Sequence, residues 1–208
     1  EEVPEFRPVT TRTSHELTGN TTLGRGLEAF ADGLSKTFSH YADALKPGAP
    51  FVFTYHHNDE SAYVPIVLAI LDSGLKCTAV LPAAAEMAAS MHIAGTASSV
   101  LDSVFVCRHE AEPVERPIRS CLEEDAVAMR AAGLKLRTGD LRCLTAGHIA
   151  GNAVNRLAGQ WHRDDPLAER VALVLATLQE IALEVDKEAL VSEALQQPES
   201  GLQHALSI

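Results

Sequence analysis

Long hydrophobic runs are missing from this chain. The longest unbroken apolar stretches, such as Val171 to Ala176, fall far short of the ~20 residues a helix needs to cross a bilayer. The start, Glu1-Glu2-Val3-Pro4, has neither the basic nor the apolar region of a signal peptide. No starting Met is present either, so the expectation is a chain that continues upstream. Cysteine is sparse: Cys77, Cys107, Cys121 and Cys143 are scattered 14 to 30 residues apart with no Cys-x-x-Cys pair. That spacing excludes a dense disulfide scaffold and argues against a zinc ribbon. Three of the four have apolar neighbours, where a free thiol behaves as a small hydrophobe. Buried reduced thiols suit a cytoplasmic protein. No Gly-x-Ser-x-Gly elbow occurs, so a Ser/His/Asp or Cys/His hydrolase has no support.

Positive charge is also in short supply. The net charge is −11, with 17 Lys and Arg against 28 Asp and Glu. Residues 1–108 hold 12 acids and 7 bases, and residues 109–208 hold 16 and 10. Affinity for DNA rests largely on neutralising phosphates with Lys and Arg. A chain this acidic would therefore need other segments to make most phosphate contacts. What is present is ordinary for a globular protein: 208 residues, 46% hydrophobic and 22% charged, enough for a real core in one or two domains.

Residues 1–22 are polar, Thr-rich and marked by Pro4, Pro8 and Gly19-Asn20, and read as loop. From Leu23, the positions Leu27, Phe30, Leu34, Phe38, Tyr41 and Leu45 recur every three or four residues, the period of an amphipathic helix. Pro47-Gly48 ends it with a tight turn. Phe51 to Tyr55 is β-branched or aromatic and apolar on both faces, as a central strand is. Asn58 to Ser61 offers N-cap candidates for a following helix, with Pro65 in its first turn and Gly74 at its end. Two further strands are expected near residues 76–81 and 103–108. Between them Ala83 to Ala89 suggests a helical turn and Gly95 to Ser99 a loop. A boundary falls at Glu110 to Pro117, beyond which the pattern is helical throughout.

In that helical part, Ser120-x-x-Glu123 reads as a capping box for a helix that Gly133 closes. Asp140 is the expected cap of a second helix, Leu141 to Leu157, whose face of His148, Asn152 and Arg156 looks solvated or directed at another domain. Asp165-Pro166 opens a third, with Leu167, Val171, Val174, Leu178 and Ile181 as its buried stripe. The tail from Gln196 reads as frayed.

Several runs together resemble the adenine-specific DNA methylase family of bacterial and archaeal defence loci. They are Thr11-Arg12, Glu16-Leu17-Thr18-Gly19-Asn20, Leu45-Lys46-Pro47-Gly48 with Phe53-Thr54-Tyr55-His56-His57, and Ala69 to Leu75. Leu81-Pro82 with Glu86, and Val104 to Arg108, complete the set. The likeness covers residues 5–109 well and the remainder loosely. It implies an α/β fold, namely a partial Rossmann-like sheet of a class I S-adenosylmethionine (SAM) methyltransferase. Residues 51–55, 103–108 and 76–81 would be its fifth, seventh and sixth strands, with flanking helices and a C-terminal all-helical segment. The implied organisation is 1–109 as the C-terminal half of the methyltransferase domain, 118–195 as a helical appendage and 196–208 as a flexible tail.

The family's glycine-rich SAM loop and its Asp/Asn-Pro-Pro-Tyr element are absent from all 208 residues. No cofactor-binding residue is therefore assigned, nor any metal ligand, and SAM is expected only in a complete enzyme. The implied partners are a missing N-terminal methyltransferase segment, in the same or a separate chain, and DNA through the complete enzyme, with no membrane. The implied reaction is methylation of adenine N6 or cytosine N4, with the isolated chain inactive. Open α/β sheets bind ligands beyond the carboxyl ends of their strands, which makes Tyr55, His56, His57 and Asn58 substrate-side candidates. Thr11, Arg12, Asn20, Glu86 and His92 are the candidate nucleic-acid contacts. Adjacent strand residues point to opposite faces, so at most one of His56 and His57 is expected to reach a site. The alternatives are a non-catalytic Rossmann-like binding or assembly module and one subunit of a split methyltransferase.

Overall fold

The computed structural model describes residues 26–85 and 99–196. The chain is mixed α/β, with a small three-stranded antiparallel sheet and six α-helices among the described residues. Among them no helix is long and apolar enough to cross a membrane. The first helix, α1 (Leu27–Ala44), starts after Gly26 and is stopped by the Pro47-Gly48 turn, where Gly48 takes φ +73°. It leads into β1 (Phe51–Tyr55), then a short 3-10 turn (Glu60–Tyr63) and α2 (Val64–Asp72). Pro65 lies in the first turn of α2 and Gly74, at φ +71°, closes it, as expected from residues that lack an amide donor or tolerate positive φ.

The strands β2 (Lys76–Ala84) and β3 (Leu101–Arg108) follow. The sheet order is β1-β3-β2 with both pairings antiparallel, so β1 and β2 run parallel to each other with β3 reversed between them. This is the strand order that the family likeness implies for these segments. The register sets Phe53 opposite Phe105 and Cys77 opposite Cys107, with an irregularity between Cys77 and Ala79. Ala83 and Ala84 extend β2 by pairing with Asp102 and Leu101. The helical turn anticipated from Ala83 is therefore corrected to strand there: ladder hydrogen bonds outweigh alanine's helix propensity. Residues 86–89 lie outside the described residues, as does the tail from 197.

One face of the sheet is covered. Leu101, Ser103, Phe105 and Cys107 alternate inward on β3 and are buried. Phe38 of α1 sets its ring edge-on to Phe51 and Phe53, both at 4.9 Å, and Phe53 stacks on Phe105 at 5.2 Å. Tyr63 joins from the start of α2, whose nine residues are all buried. The helices α1 and α2 thus cover the same face of the sheet. On the opposite face Val52 and Leu81 remain about half exposed.

Beyond Pro117 the helices are α3 (Ile118–Ala131), α4 (Thr138–Leu157), α5 (Leu167–Glu184) and α6 (Lys187–Gln196). The helix α4 lies against β2 and β3 on the covered face. Gly147 and Gly151 make that approach possible, because a Cβ at Gly147 would stand 2.7 Å from Ser103 Cβ and one at Gly151 2.9 Å from Val80 Cγ2. Leu141, Leu144, Ile149 and Val154 share one core with Ile70, Leu75, Val80 and Phe105. On α5, Val174, Leu178 and Ile181 are buried, while Leu167 and Val171 are partly covered.

Two expected caps are corrected. Pro117, not Ser120, precedes α3, and no side chain caps that end; Pro117's missing amide is no loss at that position. Asp140 sits inside the first turn of α4, with Arg137 at the cap position. Its buried carboxylate accepts from Arg137 N at 2.7 Å, Val100 N at 2.7 Å and Ser99 Oγ at 3.0 Å, pinning the start of β3 to the helix. Asp72, at the end of α2, accepts from Arg170 Nη1 and from Trp161 Nε1 at 3.1 Å, which ties α2 to α5.

Candidate functional site

The residues with chemical potential gather where β1 ends. Asp59 Oδ1 accepts from Ser61 N at 2.9 Å and Ser61 Oγ at 2.7 Å, starting the 3-10 turn; these Ser61 bonds hold its carboxyl below the usual range. The cap turns the chain sharply, so His56 and His57 lie just past the strand and each side chain takes its own direction.

His56 folds back on β3. Its Nδ1 lies 2.9 Å from Leu101 O and 3.1 Å from Asp102 Oδ1. Both are acceptors, so Nδ1 carries the proton and the neutral ring keeps a lone pair on Nε2. His57 has the opposite arrangement: Nδ1 accepts from Asp59 N at 3.0 Å, which places the proton of the neutral ring on Nε2. Both residues are exposed. The corner thus offers an acceptor at His56 and a donor at His57. Strand alternation does not decide their directions, because neither residue is in the strand.

Cys143 Sγ lies 3.9 Å from His56 Nδ1, and Asp102 completes what looks like a Cys/His/Asp set. It is not a nucleophile-base arrangement. The nitrogen facing the sulfur already donates to Leu101 O, and the thiol itself donates to that carbonyl at 3.2 Å. Burial pushes the Cys143 thiol pKa up, opposite to what a reactive cysteine needs.

Tyr55 and Tyr63 build the floor. Their rings meet edge-on at 4.9 Å; Tyr55 Oη donates to Ala62 O at 3.1 Å and Tyr63 Oη to His57 O at 3.2 Å. Burial raises both phenol pKa values. Tyr55 therefore faces inward as a support for the corner. Asn58 is half-buried, and its carbonyl accepts from Lys187 Nζ at 3.3 Å; Lys187 also pairs with Glu60. Next to it opens a groove of about 580 Å³ lined by Glu60, Leu183, Asp186, Lys187 and Glu188 among others. With three acids to one base, this flank repels phosphate.

Of the substrate-side candidates, His56 and His57 come together at the surface, while Tyr55 and Asn58 support them. Thr11, Arg12, Asn20, Glu86 and His92 lie outside the described residues. Asp102, Cys143 and Lys187 join the corner from 46, 87 and 129 residues away along the chain from the residues they touch, and no local motif marks them. The face of His148, Asn152 and Arg156 turns inward toward α3 and the segment before it. His148 Nε2 meets Asp125 Oδ2 at 2.7 Å, Asn152 brackets the Arg116 backbone, and Arg156 pairs with Glu115 and Glu184. Hydrogen bonds that Arg156 donates to Glu184 and then Glu115 hold its guanidinium pKa above its ordinary value.

Among the described residues no group of three or more His, Cys, Asp or Glu side chains is placed to hold a metal ion. All four cysteines are buried free thiols. No family profile, curated protein or solved structure matches this chain.

Proposed function

We propose that this chain is the C-terminal part of a SAM-dependent DNA amino-methyltransferase acting on adenine N6 or cytosine N4. The observation that carries the reading is the sheet: two parallel strands, 51–55 and 76–84, with 101–108 reversed between them and α1 and α2 on one face. That is the arrangement of the fifth, seventh and sixth strands implied by the family likeness. The outer edge of β1 has no strand partner among the described residues, leaving room for a fourth strand.

The family's glycine-rich SAM loop and its Asp/Asn-Pro-Pro-Tyr element are absent from the sequence, so in this reading the cofactor is held by an upstream segment. What this chain supplies is a corner at the carboxyl end of β1, where ligands of open α/β sheets sit. There a base flipped out of the stack would find an acceptor on His56 and a donor on His57. The second reading, a subunit of a split methyltransferase or a non-catalytic assembly module, is favoured by the absence of both motifs.

Calorimetry with SAM separates these readings. The chain alone should show no tight saturable binding; adding the upstream segment, in the same or a second chain, should restore it together with DNA methylation. Tight SAM binding by residues 1–208 alone would overturn the topology. If the coding DNA upstream of Glu1 and its neighbouring genes hold neither a glycine-rich strand-to-helix turn nor Asp/Asn-Pro-Pro-Tyr, the enzyme reading fails.

A further inference from the structure

Cys77 and Cys107 face each other across β2 and β3 as directly paired residues. Directly opposed residues of an antiparallel ladder have Cα atoms ~4.5 or ~5.5 Å apart, and both spacings lie inside the ~4.4–6.8 Å range that a disulfide spans. Their side chains share the covered face, and each is buried, at 5% and 0% exposure. Such a pair could be two inert core residues, but Cys77 is not sealed in. It lines a polar cavity of about 20 Å³ with Arg116, His148, Asn152 and Asn155, room for about one water-sized molecule.

Residues of β2 and α4 wall this cavity, and Gly151 packs closely on the sulfur, where a Cβ would come within 3.2 Å of Cys77 Sγ. Asn155 Oδ1 is buried there without a hydrogen-bond partner, an acceptor suited to a small hydroxylic molecule. Arg116, exposed beside the cavity, supplies positive charge.

We propose that Cys77 and Cys107 form a peroxide-responsive dithiol that closes to a cross-strand disulfide, with the cavity as the path to Cys77. The Cys77 sulfur attacks one oxygen of hydrogen peroxide; the O–O bond breaks and the departing hydroxide takes up the Cys77 thiol proton and leaves as water. Cys77 is thereby oxidised to a sulfenic acid and the peroxide is reduced. The Cys107 sulfur then attacks the Cys77 sulfur, the S–O bond breaks, and the hydroxyl leaves with the Cys107 proton as a second water. Cys77, which lines the cavity, is the sulfur a small oxidant meets first, and the fully buried Cys107 opposite it is the resolving partner.

The test uses the fully reduced, folded chain, treated with hydrogen peroxide, quenched, unfolded without reductant, and read by thiol titration and peptide mass mapping. The four thiols should fall by half, with loss of two hydrogens and one cross-linked peptide joining Cys77 to Cys107. C107S should stop at a sulfenic acid on Cys77 that a cyclic dione captures, and C77S should form no disulfide. Glutathione disulfide, too large for the cavity, should react far more slowly with the folded chain than peroxide does. Cross-links that use Cys121 or Cys143 first, or full retention of thiols under conditions that oxidise a free cysteine derivative, would overturn the proposal. Equal rates with the two oxidants would overturn the cavity as the path.

Discussion

Replacing Gly147 with alanine sets two effects of opposite sign against each other. Alanine is favoured over glycine inside a helix by about 1 kcal/mol, and Gly147 is in the middle of α4. The added Cβ, however, meets Ser103 Oγ at 2.3 Å and Ser103 Cβ at 2.7 Å. The hydroxyl can rotate away, but Ser103 Cβ is fixed to a central strand. Ordinary contact begins at 3.4 Å, so helix and sheet must separate by 3.4 − 2.7 = 0.7 Å at that point. Overpacking of a filled core costs about 1–3 kcal/mol, and a rigid backbone-attached obstacle puts this site near the upper end. The net expectation is a loss of about 2 kcal/mol, or ~4–8 °C in Tm for a domain of this size. Urea unfolding followed by far-ultraviolet circular dichroism measures it. Gly159→Ala, which meets nothing within 4 Å, should stay within about 0.5 kcal/mol of the parent. Adding Ser103→Gly to Gly147→Ala should recover stability, whereas Ser103→Ala, which keeps the Cβ, should recover less. A Gly147→Ala protein as stable as the parent would show that α4 does not rest on β3 as described.

Arg170→Met should cost about 3–5 kcal/mol in the same assay, because it strands an Asp72 carboxylate whose side chain is 4% exposed; adding Asp72→Asn should return much of the loss. Burial raises the Tyr55 and Tyr63 phenol pKa values in the folded chain. Stability should therefore be at its full value below the ordinary phenol pKa of 10.0 and fall as pH rises above it. Alkaline absorbance titration should show Tyr63 un-ionised until the chain unfolds and Tyr55 ionising later than an exposed phenol. Tyr63→Phe should cost about 1 kcal/mol at neutral pH through the lost bond to His57 O and make the alkaline decline shallower. Thr54→Lys, an exposed position on β1, should reduce self-association in sedimentation experiments with little change in Tm, since a lysine on an open strand discourages edge pairing.

The parts of the fold legible in the sequence were those decided locally. Pro47-Gly48, Pro65, Gly74 and Gly133 act through their own backbone preferences, and each ends or begins an element where the residue type requires it. The β-branched and aromatic residues of Phe51 to Tyr55 and Val104 to Cys107 identify strands for the same reason. The expectation of a central strand covered on both faces at Phe51 to Tyr55 is corrected: among the described residues β1 is an edge, with Val52 and Thr54 exposed. Ser120 and Asp140 misled because a cap is read from a short window, while the groups that use it lie elsewhere. Asp140 finds its partners at Ser99 and Val100, about 40 residues back. Gly147 and Gly151 carry no local signal of their role; only the sheet surface beneath them shows why a side chain is excluded.

The corner at the end of β1 follows the same division. His56 and His57 stand out in sequence because the strand before them is so regular. Their protonation pattern, however, comes from acceptors on β3 and from the Asp59 backbone. Asp102 and Cys143 sit inside unremarkable strand and helix sequence, and they reach His56 only because β3 is the central strand and α4 crosses it. The sheet order therefore matters more to this corner than any motif in the chain. Reversing β3 between two parallel strands brings Leu101 and Asp102 beside the carboxyl end of β1. A carbonyl and a carboxylate there fix the proton on His56 Nδ1, which leaves Nε2 as the acceptor. Had β3 run parallel to its neighbours, its amino-terminal residues would lie at the other end of the sheet, and His56 would have neither partner.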